Sequence, residues 1–249
     1  LQRYFVSENQ INEQHITITG DDYHHIVRVM RMNKGDEMIC SRGNGLSALC
    51  EIEQITNESV IVRVIEWKEE RTELVGKIYI AHGLPKADKL ELVIQKGTEL
   101  GAFAFIPFLA AHSVVKWEEK KAEKKLERWQ KIAKEAAEQA HRANVPHVYA
   151  PMTIHRLIEF AQTCDYRLVA YEEKAKNGEA AALKTVLRQM KQGQSLIVVF
   201  GPEGGFSPQE MELFLSRGFL ACGLGPRILR TETAPLYVLA AASYEWELK

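Results

Sequence analysis

No stretch of this chain is apolar for long enough to cross a bilayer as a helix, and its first residues lack a signal-peptide pattern. A cytoplasmic protein is expected. Cysteine is scarce. Cys40, Cys50, Cys164 and Cys222 lie far apart, with no pair at metal-ligand spacing and no sign of a disulfide framework, so all four are read as reduced. The eight histidines contain no HExxH or related cluster, and no metal is expected. An excess of one charge is also missing. Lys and Arg number 32 against 33 Asp and Glu, for a net charge of −1, which excludes a bulk basic field that would draw nucleic acid. Any nucleic-acid contact has to come from local patches.

What is present is an ordinary globular composition, 46% apolar and 26% charged, on a length of 249 residues that fits one or two domains. Residues 1–72 read as short strands at 3–6, 15–19, 37–41, 46–55 and 59–66. Turn chemistry separates them at Asn33-Lys34-Gly35-Asp36, Gly43-Asn44-Gly45 and Asn57-Glu58, and one short helix is expected at 21–30. This predicts a small β-barrel. The charged stretch 66–72 has no apolar period and is the expected linker. From Lys77 onward, apolar runs at 78–81, 103–108, 167–171, 196–200 and 219–224 alternate with helical patterns at 86–100, 122–143, 179–192 and 208–217. Such alternation predicts an α/β domain, 73–249, with a mostly parallel sheet. The helix at 122–143 carries one apolar stripe through Ala122, Leu126, Trp129, Ala133, Ala136, Ala137 and Ala140, and its alternating Lys and Glu form a solvated face. The last helix, 236–248, is apolar on every side. It is expected to be buried all round, by a second subunit in a homodimer or within one monomer.

Two segments carry chemistry. The first is Val199-Phe200-Gly201-Pro202-Glu203-Gly204-Gly205-Phe206-Ser207, an apolar strand ending in a glycine-rich turn that opens a helix. Glycines there let a ligand approach the backbone, and a helix N-terminus offers free N–H groups. No Lys-Ser/Thr follows, so it is not a P-loop. Ser207, with Pro208 and Glu210, reads as a capping box and not as a nucleophile. The second is Leu224-Gly225-Pro226-Arg227-Ile228-Leu229-Arg230-Thr231-Glu232-Thr233-Ala234. Ile228 stands where a dinucleotide fingerprint needs Gly or Ala, so a Rossmann reading fails. Thr233 suits a helix N-cap. Arg230 has no such structural role to fill.

Both segments resemble the signatures of the SPOUT class of knotted methyltransferases. The similarity is closer to the bacterial family that methylates uridine N3 in 16S ribosomal RNA. Further blocks agree: Arg3-Tyr4-Phe5, His24-His25-Ile26-Val27-Arg28-Val29-Met30-Arg31, Lys96-Gly97-Thr98-Glu99-Leu100-Gly101 and Glu135-Ala136-Ala137-Glu138-Gln139-Ala140-His141-Arg142. One departure is His112-Ser113-Val114, where the family often has Arg-Ser-Val. The resemblance implies a C-terminal trefoil knot and an N-terminal PUA-like RNA-binding module. It also implies an active site at a dimer interface and S-adenosylmethionine (SAM) held in the knot. The implied cofactor loops are the segment after Tyr171, then Phe200, Gly201, Pro202, Glu203, Gly204 and Gly205, then Leu224, Gly225, Ile228, Leu229, Arg230, Thr231 and Thr233.

Uridine N3 is a poor nucleophile until it loses its proton, so a base or stabilisation of the imide anion is needed. Arg230 is the first catalytic candidate, with Glu203 or Glu232 accepting the proton or orienting the base. On the short helix, His24, Arg28 and Arg31 at i, i+4 and i+7 share a face. With Arg3 and Lys34 they make either a phosphate-contacting patch or ordinary surface charge. Gln139 and Arg142 are candidates to touch RNA or the cofactor loops. Two alternatives stay open: an RNA-binding assembly factor without catalysis, and a related methyltransferase acting on a ribose 2′-hydroxyl.

Overall fold

The computed structural model describes residues 1–113, 119–171 and 181–248. They form two compact units, Leu1–Glu73 with Ala137–Val145, and Leu74–Ala136 with Pro146–Lys249.

The first unit is one six-stranded sheet. Its strands are β1 (Gln2–Phe5), β2 (Ile11–Asn12), β3 (His15–Thr19), β4 (Glu37–Ser41), β5 (Leu46–Ile55) and β6 (Ser59–Glu69), in the order β1-β4-β5-β6-β3-β2. All neighbours are antiparallel except β1 beside β4. Strand alternation sends Ile16, Ile18, Met38, Cys40, Val60 and Val62 into a common core. Register shifts at Leu49/Cys50 and Ile52/Gln54 bend β5 around it.

Two expectations fail here. Most of the supposed linker is strand: β6 continues through Glu69, where Trp67 pairs with Ala48 and Glu69 with Leu46. The Arg42 guanidinium lies 5.5 Å over the Trp67 ring. Backbone pairing to β5 outweighs a charged composition without period. The short helix, α1 (Gly20–His24), gives way to a π-helical turn, His25–Val29, and Arg31 stands beyond it at φ 53. The expected face of His24, Arg28 and Arg31 at regular helical spacing therefore does not form, although all three and Lys34 are exposed.

The second unit holds β7 (Lys77–Gly83), β8 (Ala104–Leu109), β9 (His147–Val148), β10 (Met152–Thr153), β11 (Tyr166–Ala170), β12 (Ser195–Phe200) and β13 (Leu220–Cys222). They run in the order β10-β8-β7-β12-β11-β13, with β9 also on β8, and every pair is parallel. The helices are α2 (Lys89–Glu99), α3 (Glu119–Gln139), α4 (Ile154–Ala161), α5 (Ala181–Gln189), α6 (Pro208–Ser216) and α7 (Thr233–Glu247). Strands buried on both faces explain their unbroken apolar runs; 196–200 in β12 are all buried. The α3 stripe is buried at Trp129, Ala133 and Ala136. The expected helix start at 179 lies outside the described residues. α4 was not anticipated, although Thr153 caps it through the Arg156 N–H, and Leu157, Ile158 and Ala161 face the core.

α7 decides against one of its two expected surroundings, complete burial within a single chain. It is buried on one side, at Pro235, Val238, Leu239 and Ala242, while Tyr237 is 41% and Tyr244 68% exposed. Beyond β13 the chain turns back across the sheet end, because the Thr231 hydroxyl donates to the Gly201 carbonyl at 2.6 Å. The implied knot also involves the segment after β11, of which 172–180 lie outside the described residues. Among the described residues, no helix is long and apolar enough to cross a membrane, and no group of three or more His, Cys, Asp or Glu side chains is arranged to hold a metal ion.

Candidate active site

In an open parallel sheet, ligands bind beyond the carboxyl ends of the strands. Adjacent strands β12, β11 and β13 all deliver their ends to one cavity of about 690 Å³. The turn after β12 is compact because of its glycines. A Cβ on Gly201 would stand 3.2 Å from the Gly205 backbone, and one on Gly204 would meet the His112 Cβ at 2.8 Å. The His112 Nδ1 lies 2.9 Å from the Gly204 carbonyl. Ser207 caps α6, and Glu210 closes the box by accepting the Ser207 N–H at 2.8 Å. The other Glu210 oxygen accepts the Ala111 N–H at 2.7 Å, which ties the loop after β8 to the same helix start.

Three further ties hold the two glycine-bearing turns together. The first is the Thr231–Gly201 hydrogen bond. The second is His82, at the end of β7, with Nδ1 2.7 Å from the Gly83 carbonyl and Nε2 3.0 Å from that of Thr231. Burial pulls the His82 pKa down, against the opposing effect of the two carbonyls and the nearby Glu203 and Glu232. The third is Lys89, whose Nζ lies 3.0 Å from Glu203 and 3.3 Å from Glu232. Burial pushes the Glu203 carboxyl up, but its own N–H, the Lys89 ammonium and the Lys86 N–H outweigh this and hold it below the usual carboxylate range. Its bond to Glu203 in turn raises Lys89, with Glu232 adding to the effect.

The cavity is lined by Tyr171, Phe200, Gly201, Pro202, Glu203, Gly204, Gly205, Leu224, Gly225, Ile228, Leu229, Arg230 and Thr231, all expected from the sequence. Thr233 is not among them. It is exposed and opens α7, whose N-cap is Glu232. Glu232 is not in the lining, and among the described residues it is linked to it by Lys89. Phe206 and Arg227 also line the cavity and lie within the implied loops 201–206 and 224–233, although neither was singled out; Lys89 and Cys222 line it and were missed. Arg227 stood inside the quoted motif. Lys89 gave no signal beyond one charge at a helix start. Arg227 and Arg230 are exposed and have no partner among the described residues. Burial pushes the Cys222 thiol up to about 12, so it is no nucleophile at neutral pH. A second cavity, of about 500 Å³, is lined by Tyr171, Met211, Leu215 and other mostly apolar groups, and lacks this chemistry.

The RNA-facing set needs correction at two positions. Arg3 is 5% exposed and bonds both Glu70 oxygens, at 2.6 and 2.7 Å, together with the Ser47 hydroxyl and the Arg142 carbonyl. Arg142 is 3% exposed and paired with Glu73. Both arginines are interior to the first unit, where each is paired with a carboxylate and neither is free to face RNA. Gln139, at the end of α3, is exposed.

The family model of the RNA methyltransferase domain matches residues 72–243, and that of the RNA methyltransferase PUA domain matches 18–65. The chain is 53% identical over 251 residues to the ribosomal RNA small subunit methyltransferase E of Bacillus subtilis (strain 168), covering 100% of this chain and 98% of that one. It is 26% identical, with a TM-score of 0.86, to a ribosomal RNA small subunit methyltransferase E from Neisseria gonorrhoeae solved with S-adenosyl methionine bound; the match covers 99% and 98% of the two chains. It is 27% identical, with a TM-score of 0.85, to a methyltransferase from Legionella pneumophila solved in complex with SAM, covering 98% and 97%.

Proposed function

Because this chain belongs to the ribosomal RNA small subunit methyltransferase E family, we propose that it methylates N3 of a specific uridine in 16S ribosomal RNA, using SAM. One observation carries this reading: two glycine-bearing turns line the same cavity as Arg230, which has no partner among the described residues.

The residues present fit the cofactor. The volume lies within the range of roughly 300–1,000 Å³ typical of cofactor sites. Phe200, Leu224 and Leu229 offer apolar surface for an adenine, while Glu203 and the cations suit a zwitterionic amino-acid end. A Cβ on Gly201 would press on the Gly205 backbone and disturb the turn that forms one wall of this cavity. When bound, SAM supplies an electrophilic methyl group.

The chain's own residues position the base and favour the loss of its proton. Arg230 stabilises the negative charge that develops on the uracil imide as N3 loses its proton. Glu203 is the acidic side chain in the lining, placed to accept the N3 proton or to orient the base; its lowered pKa suits the orienting role better. Glu232 is a positioning residue that acts through Lys89. The target base has to leave its stack to reach the cavity.

His24, Arg28, Arg31, Lys34 and Gln139 are the proposed RNA contacts. The outward face of α7, with Tyr237 and Tyr244, is the proposed homodimer contact, supported by its apolar exposure. A cytoplasmic location follows from the substrate. The test is methyl transfer to small ribosomal subunits lacking the modification, followed by nucleoside mass spectrometry. N3-methyluridine is expected. A 2′-O-methyl product would overturn the assignment of the methylated atom, and no product on any rRNA would leave an assembly factor.

A further inference from the structure

Residues 1–72 contain eight Lys and Arg against twelve Asp and Glu, yet the cations do not share these carboxylates evenly. Arg3 pairs with Glu70, Arg42 with Glu8, Arg63 with Glu51 and Lys68 with Glu66. Arg28, Arg31 and Lys34, within seven residues of one another, have no side-chain partner among the described residues. Asp36, the nearest acid in sequence, is engaged by the Asn33 N–H at 2.7 Å. Between the cations stand Val29 and Met30, 65% and 38% exposed. The backbone here is built, not slack. Ile26 anchors it in the core with no exposure, a π-helical turn carries Val29, and Arg31 adopts a positive φ that costs a non-glycine residue energy.

We propose that residues 28–34 form an apolar wedge with cationic flanks that docks on an unpaired stretch of RNA. Val29 and Met30 cover the face of an unstacked base, and Arg28, Arg31 and Lys34 neutralise phosphates beside it. Arg71 is exposed and unpaired as well, but stands apart; the three cations clustered within seven residues, without a side-chain partner among the described residues, suit a polyanion. Two exposed apolar side chains call for a flat uncharged surface next to that charge. A single strand presents both, whereas a duplex hides its base faces. The inference rests on the ribosomal RNA reading and goes beyond it by naming the state of the RNA and the residues that sense it.

The experiment is fluorescence anisotropy of the full chain with a labelled single-stranded RNA of about 15 nucleotides and with its duplex, across a range of KCl concentrations. For the wild type, the single strand is expected to bind more tightly than the duplex. In Val29→Ser/Met30→Ser, single-strand affinity is expected to fall about tenfold at every salt concentration, with the salt slope unchanged. In Arg28→Ala/Arg31→Ala, the magnitude of the slope is expected to fall by about 1.4, since each phosphate contact on a single strand contributes roughly 0.7. Melting temperature and SAM affinity are expected to stay at wild-type values in both variants, which separates a docking defect from misfolding. Wild-type RNA affinity in the Val29/Met30 variant would overturn the wedge while leaving the substrate reading intact. So would a defect seen only with anionic vesicles or in self-association. Equal or absent binding of single strand and duplex by the wild type would overturn the wedge, while the substrate reading stands or falls separately on methyl transfer to small ribosomal subunits.

Discussion

In the first unit, Arg3 and Arg142 are buried and held by Glu70 and Glu73; in the second, Arg227 and Arg230 stand exposed at a cavity with no partner among the described residues. All four belong to segments that resemble family signatures, so the sequence presents them alike. Their surroundings separate them. A guanidinium taken out of water depends on its carboxylate, because either charge left alone there is costly, whereas one left exposed beside a cleft costs little and stays available to a ligand. The contrast teaches that a motif arginine is assigned by the carboxylate it finds, and that this carboxylate can be distant in sequence: 67 residues from Arg3 and 69 from Arg142.

The contrast can be tested by removing each kind of cation. Arg3→Ala leaves Glu70 largely buried without its partner and is expected to cost about 3 kcal/mol in chemical denaturation. SAM affinity, measured by calorimetry, should be preserved. Equal stability in this variant would break the distinction. Arg230→Ala is expected to do the opposite: methyl transfer falls about 100-fold, while stability changes by no more than about 0.5 kcal/mol. Near-normal turnover would remove Arg230 from the chemistry.

Lys89 lies between these extremes, since it is paired yet lines the cavity. Lys89→Met leaves Glu203 and Glu232 without their shared cation, and SAM affinity is expected to fall about tenfold. Glu232→Gln in the same chain should recover part of the loss by relieving the repulsion. An unchanged dissociation constant in Lys89→Met would show that the clamp does not shape the site.

The smallest effect concerns His82. Its folded pKa lies below the unfolded value, so between the two the unfolded state binds more protons and stability rises with pH. The contribution is fully present above the unfolded pKa of about 6.5 and is lost as pH falls from there toward the folded pKa. Thermal melts should show this acid loss in the wild type and less of it in His82→Gln. An identical pH profile in the two would dismiss the histidine as its source.

Much of the fold was legible in the sequence. Strands at 15–19, 37–41 and 46–55 were bounded as found, because alternation and turn residues mark both ends locally. The turn after Phe200 was legible as a ligand loop because a glycine-rich turn directly after an apolar strand exposes backbone at a sheet end, whereas the rest of the lining was implied by the family resemblance. What escaped depended on partners remote in sequence. β6 runs on through Glu69 because β5 lies beside it, and no property of 66–72 announces that. Lys89 matters only because Glu203 and Glu232 fold against it. α4 is a different kind of miss. Its cap at Thr153 and the spacing of Leu157, Ile158 and Ala161 were readable, and were overlooked because the stretch is short.

The return of Ala137–Val145 to the first unit has a practical reach. A fragment ending at Glu73 would be missing the Arg142 guanidinium that Glu73 binds and the carbonyl that Arg3 donates to. Its β-strands would all be present, yet it would start life with a dangling acid and a half-satisfied guanidinium. Anyone wishing to graft this unit onto a different methyltransferase would have to transplant two separate pieces of chain, and evolution, shuffling domains by single cuts, faces the same obstacle.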